Sequence, residues 1–326
     1  MLRRIAAPSL LVFVLALTGC GGSGDSGDST PVPREDPASA KQITRNAANA
    51  TKRLTISSKN FTEEFILAEI YAQALEAAGY KIRKRLDIGP EKVAYRALRS
   101  GRIDAYPEYT GTALTTFFGV RTHEIPKDEQ EAYDKARASF AEVGLTALPP
   151  TPFTDSNAVG MTQARAQELG IERISDLKRQ ASRLTLSGSD ECRRRTDCKL
   201  GLEQVYGLRF KRYIVTDLAD RHSVLTGGRA DVSIVFSTDG QIAADDLLVL
   251  EDDRKLFPPY NVSLVVNDKA AEAAGPDLPK VVAQVQQDLS TKVMQELNSR
   301  VDLDKEKPAA VARAYLEQFG YVAPAG

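Results

Sequence analysis

Tyr109 and Thr112 stand close together in the stretch DAYPEYTGT, residues 104–112, and put a ring face and a hydroxyl beside one turn. A ring face attracts a cation that has no N–H to donate, and a hydroxyl donates to an anion. Polar and aromatic residues collect likewise here and at other turns: Tyr106 and Thr110 in the same stretch, Lys59 in SSKN, Asp155 and Asn157 in FTDSN, Arg195 in CRRRTDC, Phe236, Thr238 and Asp239 in VFSTDG and Tyr260 in FPPY. The set therefore reads as binding chemistry. No Ser–His–acid order or paired catalytic carboxylates stands out, and the only histidines are His123 and His222.

The elements that must position these residues alternate. LTIS reads as a buried strand. Asn60 and Glu63 then have the spacing of a capping box, ahead of a helical run through Leu67, Ile70, Tyr71, Ala74 and Ala78 that Gly79 ends. KIRKRLDI is a second strand. A helix over EKVAYRALR follows, with Pro90 in its first turn, and then a third strand that Pro107 is expected to stop. The same grammar repeats from NAVGMT (157–162) to LLVLED, and VLTGGRADVSIVFSTDG parallels ALRSGRIDAYPEYTG. The chain from Lys269 onward is helical in pattern. Strand–helix alternation predicts α/β lobes, each built on a mostly parallel sheet covered on both faces. Ligands in such folds sit beyond the carboxyl ends of strands, where the turns carrying these residues fall.

Composition bounds the partners. The 326 residues have a formal net charge of −1 and no long basic run, which argues against nucleic acid. MLRR followed by IAAPSLLVFVLAL reads as an export signal over residues 1–19, ending at LTGC. Its end resembles the bacterial lipobox, which implies a lipidated Cys20 holding the chain on a membrane. The Gly-, Ser-, Asp- and Pro-rich segment from residue 20 to 52 is expected to be a flexible tether. An exported chain meets oxidising conditions, so Cys192 and Cys198 are expected to form a local disulfide; their spacing does not match a zinc site, and no metal or cofactor is expected.

The stretches SSKNFTEEFILAEIYAQALE, GRIDAYPEYTGTAL, PFTDSNAV, GLEQVYGL, FSTDGQI and LLVLEDDRKLFPPYNVSLVV, in this order, resemble the substrate-binding proteins of osmoprotectant ABC importers, over about residues 54–320. The resemblance implies a two-lobed, hinge-closing clamp of the type II periplasmic-binding class. One lobe would comprise 53–154 and 262–326, the other 155–261, with the chain crossing near 154 and 261. It also implies a tyrosine cage around a trimethylammonium group, with Tyr109 and Tyr260 in the cage, and Lys59, Thr112 and Arg195 on a carboxylate. The arginine register stays open between Arg195 and its neighbours Arg193 and Arg194. Asn157 and Phe236 stand where the family usually has tyrosine, and Cys192 and Cys198 replace an aromatic residue and a glycine. Asp155 is placed with the site as a helix cap or a brace for the arginine. The implied partners are a betaine-like solute (glycine betaine, choline, carnitine or proline betaine) and a membrane permease, bound by an extracytoplasmic monomer. Another zwitterion such as an amino acid, or an exported lipoprotein enzyme, are the competing readings.

Overall fold

The computed structural model describes residues 41–324; the export signal over 1–19, Cys20 and the first part of the expected tether lie outside them. Two five-stranded sheets organise the described chain, one in each lobe. The first has the order β2-β1-β3-β10-β4, from β1 (Arg53–Ser57), β2 (Lys81–Arg85), β3 (Ala105–Tyr109), β4 (Leu145–Ala147) and β10 (Val262–Asn267). The second has the order β7-β6-β8-β5-β9, from β5 (Asn157–Thr162), β6 (Thr185–Gly188), β7 (Arg212–Val215), β8 (Val232–Phe236) and β9 (Leu247–Val249).

The sheets are mixed, not mostly parallel. β1 pairs in parallel with β2 and β3, and β6 with β7 and β8, but β10 and β5 run antiparallel to both of their neighbours. These two are the strands that enter a lobe from the other one. Each arrives from the opposite end of its sheet and must run against the strands it joins. The two connections are themselves tied, by an isolated bridge between Thr154 and Asn261.

Pro107 does not end β3; it lies inside it. Thr110 donates its N–H to the Asn261 carbonyl, and Asn267 donates to the Asp104 carbonyl, so the even-numbered residues of this strand face β10. The nitrogen of Pro107 points the other way, towards β1, whose pairing with β3 is confined to Ile56 opposite Ala105. A missing donor costs nothing where no acceptor is lost.

Alternation along the strands feeds two cores in the first lobe. Val262, Leu264 and Val266 pack under the helix Thr62–Ala77, while Val265 faces the opposite side with Tyr106, Ala97 and Phe140. The helix Thr62–Ala77 is apolar nearly all round, from Ile66 to Leu75, because the sheet covers one side and the C-terminal helices the other. The second lobe has corresponding clusters about Val159, Leu186 and Ile234 and about Val224 and Val235. Among the described residues no helix is long and apolar enough to cross a membrane.

Residues 41–52, assigned to the tether on composition, fold onto the first lobe. Ile43 is buried in its main core and donates its N–H to the Tyr321 carbonyl, and Lys41 pairs with Asp288 at 2.8 Å. The Gly- and Ser-rich composition ends before this segment does. A chain starting at residue 53 should therefore melt below one starting at residue 41. Losing one buried isoleucine costs about 2–5 kcal/mol, or roughly 4–10 °C for a protein of this size. Equal melting temperatures would show the segment to be dispensable.

Candidate functional site

Strand ends from both lobes converge on one buried region. Lys59 follows β1 and is 2% exposed, with its Nζ donating to Glu108 Oε1 at 2.8 Å and lying 3.4 Å from Glu64 Oε1. The same ammonium stands 4.4 Å from the centroid of the Tyr109 ring and 5.7 Å from that of Phe61. Burial alone would lower the Lys59 pKa, but Glu108, Glu64 and Glu91 outweigh it and raise it, so the side chain stays charged. Glu108 is fully engaged: it also accepts from the Tyr106 hydroxyl at 2.7 Å and the Tyr109 N–H at 2.8 Å.

The Phe61 ring lies between Tyr109 (centroids 6.0 Å) and Phe236 (5.7 Å) and so joins an aromatic residue from each lobe. Arg221 caps the far side of this cluster, 4.7 Å from the Phe236 centroid, and is paired with Asp239, which also takes the Phe236 N–H at 2.8 Å and lies 2.7 Å from His222 Nε2. Two further acids lie at the rings. The Tyr109 hydroxyl donates to Glu63 Oε1 at 2.8 Å, whose other oxygen accepts from Asn298 at 3.0 Å. Asp155 Oδ1 accepts the Thr238 N–H at 3.4 Å. Burial raises the pKa of both Glu63 and Asp155, and the negative charges around them add to it. Glu63 makes no capping box with Asn60: the helix is entered at Phe61 without a side-chain cap, and Glu63 is turned to Tyr109 instead. Its place in the first helical turn still favours negative charge.

The remaining residues form a second group around the loop after β6. Arg195 donates from Nε and Nη2 to the two oxygens of Asp197, at 2.8 and 2.6 Å. Its other contacts cross to the first lobe, to Glu91 Oε1 at 3.1 Å and the Thr112 hydroxyl at 3.3 Å. Asp197 is itself held by the Tyr260 hydroxyl at 2.6 Å and the Thr115 hydroxyl at 3.2 Å. Burial opposes ionisation of Asp197, yet Arg195 and Tyr260 outweigh it and lower its pKa. Asn157 donates to the Tyr260 oxygen and to the Asp197 carbonyl, both at 3.1 Å. Arg193 and Arg194 point to the surface, and the sulfurs of Cys192 and Cys198 lie 1.92 Å apart, bracketing Arg195 and Asp197. Gly111 lets Tyr260 close in, because a Cβ there would lie 2.8 Å from its ring and from the Pro259 carbonyl.

The structure thus gathers Lys59, Tyr109, Phe236 and Asp155 in one group and Thr112, Asn157, Arg195 and Tyr260 in another. A cavity of about 30 Å³ bordered by Asn157, Arg195, Arg221 and Phe236 links them. A larger surface groove of about 840 Å³ around Asn261 and Pro150 shares none of these eight residues. Sequence reasoning missed Phe61, Glu63, Glu91, Asp197 and Arg221 as site residues. Phe61 and Asp197 stand inside stretches already singled out, SKNFTE and RTDC, and their types were the available signal. Nothing local marks Glu91 or Arg221, which reach the site only through the packing of the lobes.

Comparison with known proteins agrees with this architecture. Residues 52–318 match the family described as the substrate binding domain of the ABC-type glycine betaine transport system. A glycine-betaine-binding protein of Pseudomonas aeruginosa is 30% identical over 276 residues, covering 81% of this chain and 87% of that one. A carnitine transport binding protein of Listeria monocytogenes is 27% identical over 265 residues, covering 80% and 84%. A crystal structure of a glycine betaine/carnitine/choline ABC transporter superposes with a TM-score of 0.67 at 26% identity, covering 82% of this chain and 99% of that one. The chain belongs to this family of extracytoplasmic substrate-binding proteins of ABC importers, which are not enzymes.

Glu64 supplies a test of the buried electrostatics. Burial pushes its pKa from 4.5 up to about 8, against the pull of Lys59. The folded chain therefore holds a proton there that the unfolded chain releases. That contribution to stability is complete below pH 4.5 and falls away as the pH rises through 8. Glu64→Gln should make melting temperature fall less steeply between pH 5 and 8. A slope identical to the parent's would mean that Glu64 is ionised throughout.

Proposed function

We propose that this chain captures a betaine-like quaternary-ammonium solute between its lobes and presents the closed, loaded form to a membrane permease. The observation that carries the reading is the Phe61–Tyr109–Phe236 cluster, which takes rings from both lobes at the crossover region. A quaternary ammonium has no hydrogen to donate, so ring faces and nearby carboxylates are the means of holding it. The protein's own cations Lys59 and Arg221 already sit over Tyr109 and Phe236, which supports these rings as cation-binding surfaces. A solute that must touch rings on both lobes favours the closed form by its differential contacts.

The glycine betaine, carnitine and choline named for the relatives define the solutes to try first. The finer parts of this reading are export with a lipid anchor at Cys20, a monomeric state and a Cys192–Cys198 disulfide. The disulfide would hold the loop that carries Arg195 and Asp197. If it forms, the purified chain resists alkylation at both cysteines until a dithiol reductant is added; alkylation without reductant would remove it.

Isothermal titration of the chain with glycine betaine, choline, carnitine, proline betaine and common amino acids tests the central claim. Binding of at least one quaternary ammonium, and a loss of about tenfold or more in affinity on Tyr109→Ala, is the expected result. Binding of amino acids alone would overturn it.

A further inference from the structure

We propose that the cleft selects a solute of net positive charge, an alkylammonium without a carboxylate, over the zwitterion that carries the same ammonium head. This rests on the quaternary-ammonium reading above and narrows it.

The argument is one of charge matching. Each cation of the cleft already has an internal partner. Lys59 is held by Glu108. Arg221 is held by Asp239. Arg195 spends its fork on Asp197 and its remaining contacts on Glu91 and Thr112. A solute carboxylate would have to strip Asp197 from the arginine. Asp197 is wholly buried and is also held by Tyr260 and Thr115, so it has no other cation and no water to turn to.

The acids show the reverse. Glu63 is 3% exposed and Asp155 5% exposed, and neither forms an ion pair among the described residues. Glu63 takes the Tyr109 hydroxyl, and Asp155 accepts the N–H of Thr238, two residues after Phe236. Burial favours the protonated form of a carboxyl group that has no cation beside it, and an arriving cation lets it ionise and form an ion pair. An alkylammonium on the rings would meet ring faces and these two acids at once. A zwitterion would bring its own negative charge into a region whose cations are all taken. The departure from tyrosine at Asn157 points the same way, because its amide is spent on Tyr260 and on the Asp197 carbonyl, holding the arginine–aspartate unit in place.

Choline and glycine betaine share a trimethylammonium head and differ in carrying a hydroxymethyl group or a carboxylate, so they isolate the question. Calorimetric titration of the chain at neutral pH should give a choline Kd at least tenfold below that of glycine betaine. Equal affinities, or tighter betaine, would overturn the selectivity and leave the quaternary-ammonium reading standing; binding of neither would overturn both. Asp197→Asn removes the negative charge and one of the two acceptors that hold Arg195, which frees the guanidinium for a solute carboxylate, and should move the ratio at least tenfold towards betaine. Asp155→Asn, which keeps shape and removes the group that an arriving cation would ionise, should weaken choline more than betaine. Folded variants, verified by melting, that leave the ratio unchanged would refute the charge-matching account even if the parent prefers choline.

Discussion

The pairing of Arg195 with Asp197 is the interaction around which the contacts between the two sheets' ends are built. Taking two charges out of water costs several kcal/mol for each ion, and their attraction offsets this only when the geometry is good and the remaining donors and acceptors are satisfied. Here they are satisfied largely from the other side. Glu91 and Thr112 complete the guanidinium, and Thr115 joins Tyr260 on the carboxylate. The ion pair therefore belongs to one lobe but is solvated by the other. Separating the lobes would exchange those partners for water.

A second contact tightens the same closure from the C-terminal side. Asn298 and Gln295, on the helix Thr291–Asp302 of the first lobe, donate to the carbonyls of Thr238 and Ser237 on the second. Gly240 makes the approach possible, since a Cβ there would lie 2.7 Å from the backbone of Ser299. Asn298 also holds Glu63, so the helix that braces the lobes touches the acid at the rings. Position of the lobes and charge at the site are thus mechanically linked through one amide side chain.

The elements were largely legible in the sequence because each is written locally. The run from Leu67 to Ala78 has helical spacing, and Asn157 to Thr162 is an unbroken strand pattern in chain order. The errors share a cause. Whether Pro107 ends a strand depends on which neighbour its nitrogen faces, and whether a sheet is mixed depends on where the chain re-enters it. Glu63 carried the spacing of a capping box, but tertiary contact with Tyr109 and Asn298 competed for the same carboxylate and won.

The sequence by itself determined the alternating α/β plan, the family and the residue types at the strand ends, since periodicity, turn residues and motif order are properties of the chain read in one dimension. Only the tertiary structure decided which charges neutralise one another. Lys59 and Arg195 read as cations open to a carboxylate, but Glu108 lies 49 positions from Lys59, and Glu91 lies 104 positions from Arg195. Asp197 stands two positions from Arg195, but which of these charges are buried and which meet across the fold is set by distance and burial in three dimensions, which residue type does not encode.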